Sequence, residues 1–343
     1  MFNVLLAGLL AGAVCAHAAD QHAAPQPRSL AQWLERLQQA SRASSYRGTY
    51  VVSSAAGTLS SAHIEHYGDG GMQLERVEML TGEPRVIFRR NDTVRVYLPV
   101  QRVVRSEERA PGNRFPNLLT PSLVTLAEAF YTAEQAGQGR VAGADADIVL
   151  IKPLDGLRYG YRIWSERQTG MIVKIQTLDE HGHVLEQSAF SELTLNARVR
   201  PGKLLRGMSG ATGYRAVHSD QIPTTAQQEG WALNAPVAGF APQTCYRQRM
   251  QGGGEPLVQW VFSDGLATVS LFMERLGEGV AAREGVSAMG ATHVLTRRIT
   301  DGAQAWWLTA VGEVPARTLQ EFAARLQPGR PAEKSGIISN DVK

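Results

Sequence analysis

Between residues 45 and 105 short apolar runs are broken by turn residues at near-regular intervals, and this rhythm constrains the fold more than any other feature. The segments YRGTYVVSS, SAHIEHY, MQLERVEML, PRVIFRR and TVRVYLP are rich in β-branched and aromatic residues and read as successive strands. Gly57, Gly68-Asp69-Gly70-Gly71, Thr81-Gly82-Glu83-Pro84 and Asn91-Asp92 separate them with residues that favour tight turns. Parallel strands need long crossovers, so connections this short make neighbours antiparallel.

The rhythm resumes at DIVLIKPL, RYGYRIWSE, MIVKIQTLD and HVLEQSAFSEL, with turns at Gln168-Thr169-Gly170 and Glu180-His181-Gly182. Two helices accompany these strands. In the first, Ser29 and Gln32 form a capping box, and Leu30, Trp33, Leu34 and Leu37 share one face. The second starts at Thr120 as N-cap with Pro121 in the first turn, and carries Leu123, Leu126, Ala127 and Phe130 on one side. So many twisted strands curl, and the helices are placed to cover the concave face.

From Ala197 to Glu229 the pattern fades into Gly, Thr, Gln and Pro, which reads as a connection between domains. A second unit starts near Trp231, with strands at QTCYRQRM, PLVQWVFS, ATVSLFMERL, HVLTRRIT and AQAWWLTAVGE, and with hairpin turns at Ser263-Asp264-Gly265 and Thr300-Asp301-Gly302. A last helix follows Pro315, with Leu319, Phe322, Ala323 and Leu326 in register. The expected class is mainly β with α+β character. The expected boundaries are a leader at 1–19, a first domain at 20–199, a linker at 200–229, a second domain at 230–327 and a polar, disordered tail at 328–343.

The leader expectation rests on MFNVLLAGLLAGAVCAHAAD, an apolar run ending in the A-x-A pattern Ala16-His17-Ala18. Cleavage there removes Cys15 and leaves Cys245 alone, so the mature monomer has no internal disulfide and depends on its core for stability. No later segment is apolar enough to span a bilayer, so the expectation is a soluble periplasmic protein. Net charge is +3, with arginines dispersed along the chain, which does not point to nucleic acid.

Motifs for chemistry are absent: no G-x-S-x-G, no H-E-x-x-H and no P-loop. Gly137-Gln138-Gly139 lacks the third glycine of a dinucleotide fingerprint and reads as a turn after a helix. Cys245 on a strand reads as a buried small residue. His63 and His66 fall on opposite faces of a strand, and His181-Gly182-His183 straddles a turn. For each pair a solvated hairpin tip is the simpler reading than a metal site, and no metal or cofactor is expected.

The stretch EPRVIFRRNDTVRVYLP poses the sharpest question. Val86 and Phe88 alternate with Arg85, Ile87 and Arg89, and Val94, Val96 and Leu98 alternate with Arg95 and Tyr97, giving one apolar and one mixed face. Two readings stand. The arginines keep an outer face wet, or they sit at the rim of an apolar cavity and hold an anionic head group.

The segments YRGTYVV, VRVYLP, YGYRIWSERQTGMIVKIQTLDEHGHVLEQSAFSEL, VFSDGLATVSLFME and VGEVP, in this order, resemble the RseB/MucB family of periplasmic regulators of the sigma-E (AlgU-type) envelope-stress response. The likeness covers most of the chain, and the long central block is its most specific part. It implies an N-terminal half-open antiparallel β-barrel like that of the lipoprotein carriers LolA and LolB, covered by helices, and a smaller C-terminal α+β domain. It implies a partner, the periplasmic domain of a membrane-spanning anti-sigma factor of the RseA/MucA type, shielded from the site-1 protease. It also implies release by lipopolysaccharide, another lipid or a mislocalised lipoprotein, with domains that reorient when lipid binds. Self-association stays open.

On that picture a lipid cavity is expected at Phe88, Val96, Leu123, Leu126, Phe130 and Trp164, and an anti-sigma contact at Arg247, Arg249, Trp306 and Trp307. Adjacent tryptophans on a strand must point to opposite faces, so one enters the core and the other is left either as an anchor for the partner or as a seal of the interface between the domains. The alternatives are a lipoprotein or lipid carrier of the LolA/LolB type, which would not need the second domain, and an exported hydrolase, which the missing nucleophile–base signature disfavours.

Overall fold

The computed structural model describes residues 28–108, 115–116, 124–218, 221–248, 256–277, 283–302 and 304–329. The leader with Cys15, the N-cap Thr120, Leu123, Arg249 and the tail from residue 330 lie outside the described residues.

The chain opens with α1 (Leu30–Ala43), started by the expected capping box: Ser29 Oγ accepts from the Gln32 amide and Gln32 Oε1 from the Ser29 amide. A meander follows: β1 (Tyr46–Ser54), β2 (Leu59–Gly68), β3 (Gln73–Met79), β4 (Val86–Arg90), β5 (Thr93–Leu98) and β6 (Val103–Glu108). A short α2 (Val124–Glu128) leads into a second meander of β7 (Tyr131–Val141), β8 (Ala144–Pro153), β9 (Gly160–Glu166), β10 (Ile172–Leu178) and β11 (Val184–Leu195). The two meanders join because β11 pairs antiparallel with β1.

After α3 (Pro201–Ser209), β12 (Arg215–His218) adds to β6 in parallel. Among the described residues this gives one twelve-stranded sheet, open, with β12 at one edge and β7 at the other. Helix α1 buries Leu30, Trp33, Leu34 and Leu37 against Val149, Ile151, Tyr161 and Ile163 of one face, and Ala40 against Tyr46, Ala62 and Ile64 further along it.

The second unit contains β13 (Gln221–Pro223), β14 (Trp231–Leu233), β15 (Ala241–Gln248), β16 (Leu257–Ser263), β17 (Thr268–Arg275), β18 (Gly285–Met289), β19 (Thr292–Asp301), β20 (Gln304–Gly312), α4 (Ala316–Arg325) and β21 (Leu326–Pro328). Seven of these strands form a sheet in the order β13-β15-β16-β17-β20-β19-β18, and β14 pairs with β21 beside it. Helix α4 packs Leu319 and Phe322 against Phe262, Leu271, Leu308 and Ala310.

Three sequence readings need correction. The stretch read as a connection from residue 200 carries α3 and β12, and both belong to the first sheet: α3 packs Met208 on Phe88, Tyr97 and Val104. Gly137-Gln138-Gly139 is not a turn after a helix but lies inside β7, where Gly137 sits at a bulge with φ of 115°. This edge strand is polar on both sides with only Tyr131 buried, so it shows no alternation. The apolar and mixed faces of the 83–99 stretch are mixed differently. Phe88 pairs with Arg95 and Val86 with Tyr97 on the face under α3, while Ile87 pairs with Val96 on the face under α1.

Candidate ligand pocket and the junction between the sheets

A cavity of about 220 Å³ opens on the α1-covered face. The strand register orders its lining. One row across β1, β11, β10 and β9 is Val52, Ser188, Ile175 and Ile163; the next, across β11, β10 and β9, is Glu186, Thr177 and Tyr161. Leu37 of α1, Tyr50 and Phe115 complete the apolar side, and Leu266 and Glu313 come from the second unit. Burial pushes the Glu186 carboxyl above its ordinary range, opposed by the Ala291 amide that donates to it from the β18–β19 turn. Among the described residues lining the cavity there is no lysine or arginine.

The second unit is fastened here by a buried knot. Arg158, in the β8–β9 connection, reaches Asp264 in the β16–β17 turn, Nε to Oδ2 at 2.8 Å, with both side chains fully buried. Tyr131 donates its hydroxyl to the same oxygen at 2.9 Å. Asp264 Oδ1 accepts from the Leu266 and Ala267 amides at 2.9 and 2.7 Å, which shapes the turn so that Leu266 enters the core of the first unit. Arg158 also pairs with Asp155, donates to the Ala238 carbonyl, and lies over the rings of Phe130 at 4.3 Å and Phe240 at 5.0 Å. Burial and the Asp264 charge hold the Tyr131 hydroxyl well above its ordinary pKa. Thr318 of α4 adds a hydrogen bond to the Leu157 carbonyl at 2.7 Å.

The residues expected to line one lipid cavity do not come together. Phe88 is buried under α3 on the opposite face from Val96. Trp164 shares a face with Lys174, whose Nζ lies 4.6 Å from the ring centroid, while its neighbour Ile163 faces the cavity. Phe130 is clamped beneath Arg158 at the junction, and Leu126 is on the short α2 that precedes it and does not line the cavity. Of the arginines in the 83–99 stretch, Arg95 has a role neither reading gave it. Arg95 Nη1 and the Tyr97 hydroxyl both donate to the Met208 carbonyl, at 2.9 and 2.7 Å, and hold the end of α3. Arg85 and Arg90 are exposed.

In the second unit Trp306 borders the core, edge-on to Trp231 at 5.2 Å with Arg275 over its ring. Trp307 lies on the opposite face, between Glu274 of β17 and Arg298 of β19. Arg247 is already paired with Glu229 at 2.8 Å. A recess of about 790 Å³ lies beside Trp231, Phe240, Trp260 and Cys245. Burial, then the Glu229 charge, push the Cys245 thiol up to about 11, so it is inert at neutral pH.

The histidine pairs differ from one another. His181 and His183 are exposed on a hairpin turn as read. His66 is not a solvated tip: it is buried, stacked on Tyr46 at 4.8 Å, with Nδ1 donating to the Ser44 carbonyl. No group of three metal-ligating side chains occurs among the described residues.

Comparison with known proteins fits this two-unit architecture. Residues 29–208 match the MucB/RseB N-terminal domain and residues 225–327 match the MucB/RseB C-terminal domain. The chain belongs to the MucB/RseB family. It is 30% identical over 318 residues to the sigma factor AlgU regulatory protein MucB of Pseudomonas aeruginosa, covering 91% of this chain and 95% of that protein. It is 20% identical to the sigma-E factor regulatory protein RseB of Escherichia coli over 86% of this chain and 90% of that one. Among solved structures, MucB in the Pseudomonas aeruginosa MucA/MucB complex aligns with a TM-score of 0.69 and 26% identity over 88% of this chain and 99% of that chain. Within the MucB/RseB frame, the Arg158–Asp264 knot lies where the first matched domain meets the second. Nothing in the sequence pattern marked it: Arg158 and Asp264 sit in two turns, and only their side-chain meeting gives them a role.

Proposed function

We propose that this protein is a periplasmic regulator that binds the periplasmic segment of a membrane-spanning anti-sigma factor, of the type MucA represents, and shields it from site-1 proteolysis. It acts by binding, without turnover. The observation that carries this reading is the pairing of both family domains in one chain whose fold aligns with MucB from a MucA/MucB complex. No helix of the described residues is long and apolar enough to cross a membrane.

Trp307 is the anchor we assign to the partner, since it lies on the sheet face away from α4 with acidic and basic neighbours. A lipid, including lipopolysaccharide or a mislocalised lipoprotein, enters the cavity beside α1 and promotes release. That cavity is walled by both units, so an occupant is placed to bias the junction. A lipoprotein carrier would use the first sheet alone, and the buried knot between the units speaks for a function that needs both.

The test is co-elution of the purified protein with an anti-sigma periplasmic segment on a sizing column, together with protection of that segment from the site-1 protease. A stable complex and a protected segment are expected. Separate elution with unprotected cleavage overturns the reading.

A further inference from the structure

The edges of the two large sheets are not equally protected. An edge strand leaves amide and carbonyl groups unpaired, and proteins blunt it with proline, charge, bulges or brevity. Strand β7 carries Glu134, Arg140 and the bulge at Gly137. Strand β12 has four residues, among them Arg215 and His218, and β13 has three, ending in Pro223. Strand β18, Gly285–Met289, uses none of these devices. It holds no charge and no proline, and it pairs with β19 in unbroken register. Among the described residues nothing pairs with its other side, and all five of its residues are exposed, Val286 at 46% and Met289 at 66%.

The register says what kind of chain completes this edge. Val286 lies opposite Leu295, which belongs to the core under α4, so a residue placed beside Val286 on an added strand extends that core and is best apolar. Gly285 and Ser287 alternate with Val286 and lie opposite Thr296 and Val294, on the sheet face that carries Trp307. Both are small, so an added strand meets no obstructing side chain there. At the Gly285 end stand Arg283, Arg297 and Arg298, all exposed, against Glu274 and Glu284. An acidic side chain is favoured at that end.

We infer that β18 is a strand-addition site: an extended segment of the anti-sigma partner, apolar beside Val286 and acidic near Arg283, joins the seven-stranded sheet as a further strand. This rests on the reading above that the partner is a periplasmic anti-sigma segment, and it adds a main-chain hold to the Trp307 contact. In strand addition the main-chain hydrogen bonds supply affinity and the alternating side chains supply specificity. A segment held this way has one row of its backbone groups already paired, which fits a protein that shields its partner.

The experiment is hydrogen exchange read by mass spectrometry on the full chain, alone and with the anti-sigma periplasmic segment. Exchange across Gly285–Met289 should slow at least about tenfold on binding, while exchange in β12, an edge of the other sheet, stays unchanged. Val286→Lys, which puts a charge on the edge, should weaken binding at least about tenfold, about 1.4 kcal/mol, and Ser287→Lys is the second variant should the first fail to fold. Binding with unchanged exchange at Gly285–Met289, or binding that neither variant weakens, overturns strand addition and leaves the partner assignment standing. A free protein that elutes as a dimer, with the same stretch already protected and exposed again by Val286→Lys, gives the edge to a second copy and also overturns the inference. No binding of the segment at all overturns the partner assignment and this inference together.

Discussion

Replacing Asp264 by Asn tests the knot between the two units without changing the size of a side chain. Oδ2 receives Arg158 Nε and the Tyr131 hydroxyl, and Oδ1 receives the Leu266 and Ala267 amides. An amide placed with its oxygen toward the Leu266 and Ala267 amides turns its NH2 to the Tyr131 hydroxyl, which can rotate to accept, and to Arg158 Nε–H, which cannot, so at least one hydrogen bond is lost and a donor is pressed on a donor. The buried guanidinium loses its fully buried counter-charge as well. Removing one partner of a buried pair costs about 3–5 kcal/mol. Arg158 keeps Asp155, the Ala238 carbonyl and the Phe130 and Phe240 ring faces, which places the loss at the low end, about 3 kcal/mol. Urea unfolding followed by tryptophan fluorescence measures it. Arg158→Met, which leaves the Asp264 turn intact, closes a cycle. The double variant should lose less than the sum of the singles by at least about 1.5 kcal/mol. A loss under about 1 kcal/mol for Asp264→Asn, or additive singles, would refute the argument that this pair fastens the units.

Trp306→Ala should lose about 2–3 kcal/mol of stability, because the ring packs on Trp231 and the core, whereas Trp307→Ala should stay folded and bind the anti-sigma segment at least about tenfold more weakly. Urea unfolding and titration calorimetry on both variants separate the two effects. Burial lowers the pKa of His66, against the opposing pull of Glu75 and the Ser44 carbonyl and with help from Arg89. Above the unfolded value of about 6.5 both states are neutral and the group contributes nothing; below it the unfolded chain takes a proton that the folded chain refuses, so stability falls with falling pH. Urea midpoints at about pH 7.5 and about pH 5.5 should show this drop, and His66→Phe, which keeps the stack on Tyr46, should reduce it. Gly48→Ala should cost about 1–3 kcal/mol in the same assay, since a Cβ there runs into the Glu192 carbonyl oxygen beside the β1–β11 bulge.

The strands with clean alternation were legible: YRGTYVVSS is β1 residue for residue, and the second unit's five named strands each appear within a few residues. Elements without alternation were not. Strand β7 is an edge with a solvated exterior, and α3 is short, glycine-containing and stabilised from outside by Arg95 and Tyr97. The face error at Phe88 has one cause. Alternation within β4 and within β5 was read correctly, but the pairing between them places Phe88 opposite Arg95, and cross-strand register is set by the turn and by α3 rather than by either strand. The site was illegible for a related reason: its apolar residues Val52, Ile175 and Ile163 are drawn from three strands, and its carboxylates from β11 and from the segment after β20.

The seam between β1 and β11 governs how this chain can acquire its shape. Tyr50 must find Phe190, and everything between them is a closed loop while it does so. Each meander can form from near neighbours, but joining them demands the costliest loop closure in the first sheet, and such long-range pairings are slow. Strand β1 is central in the finished sheet yet has only β2 beside it until β11 arrives. Truncation anywhere before Val184 therefore does not yield a smaller stable domain. It leaves one side of β1 as an open row of amide and carbonyl groups that recruits other chains.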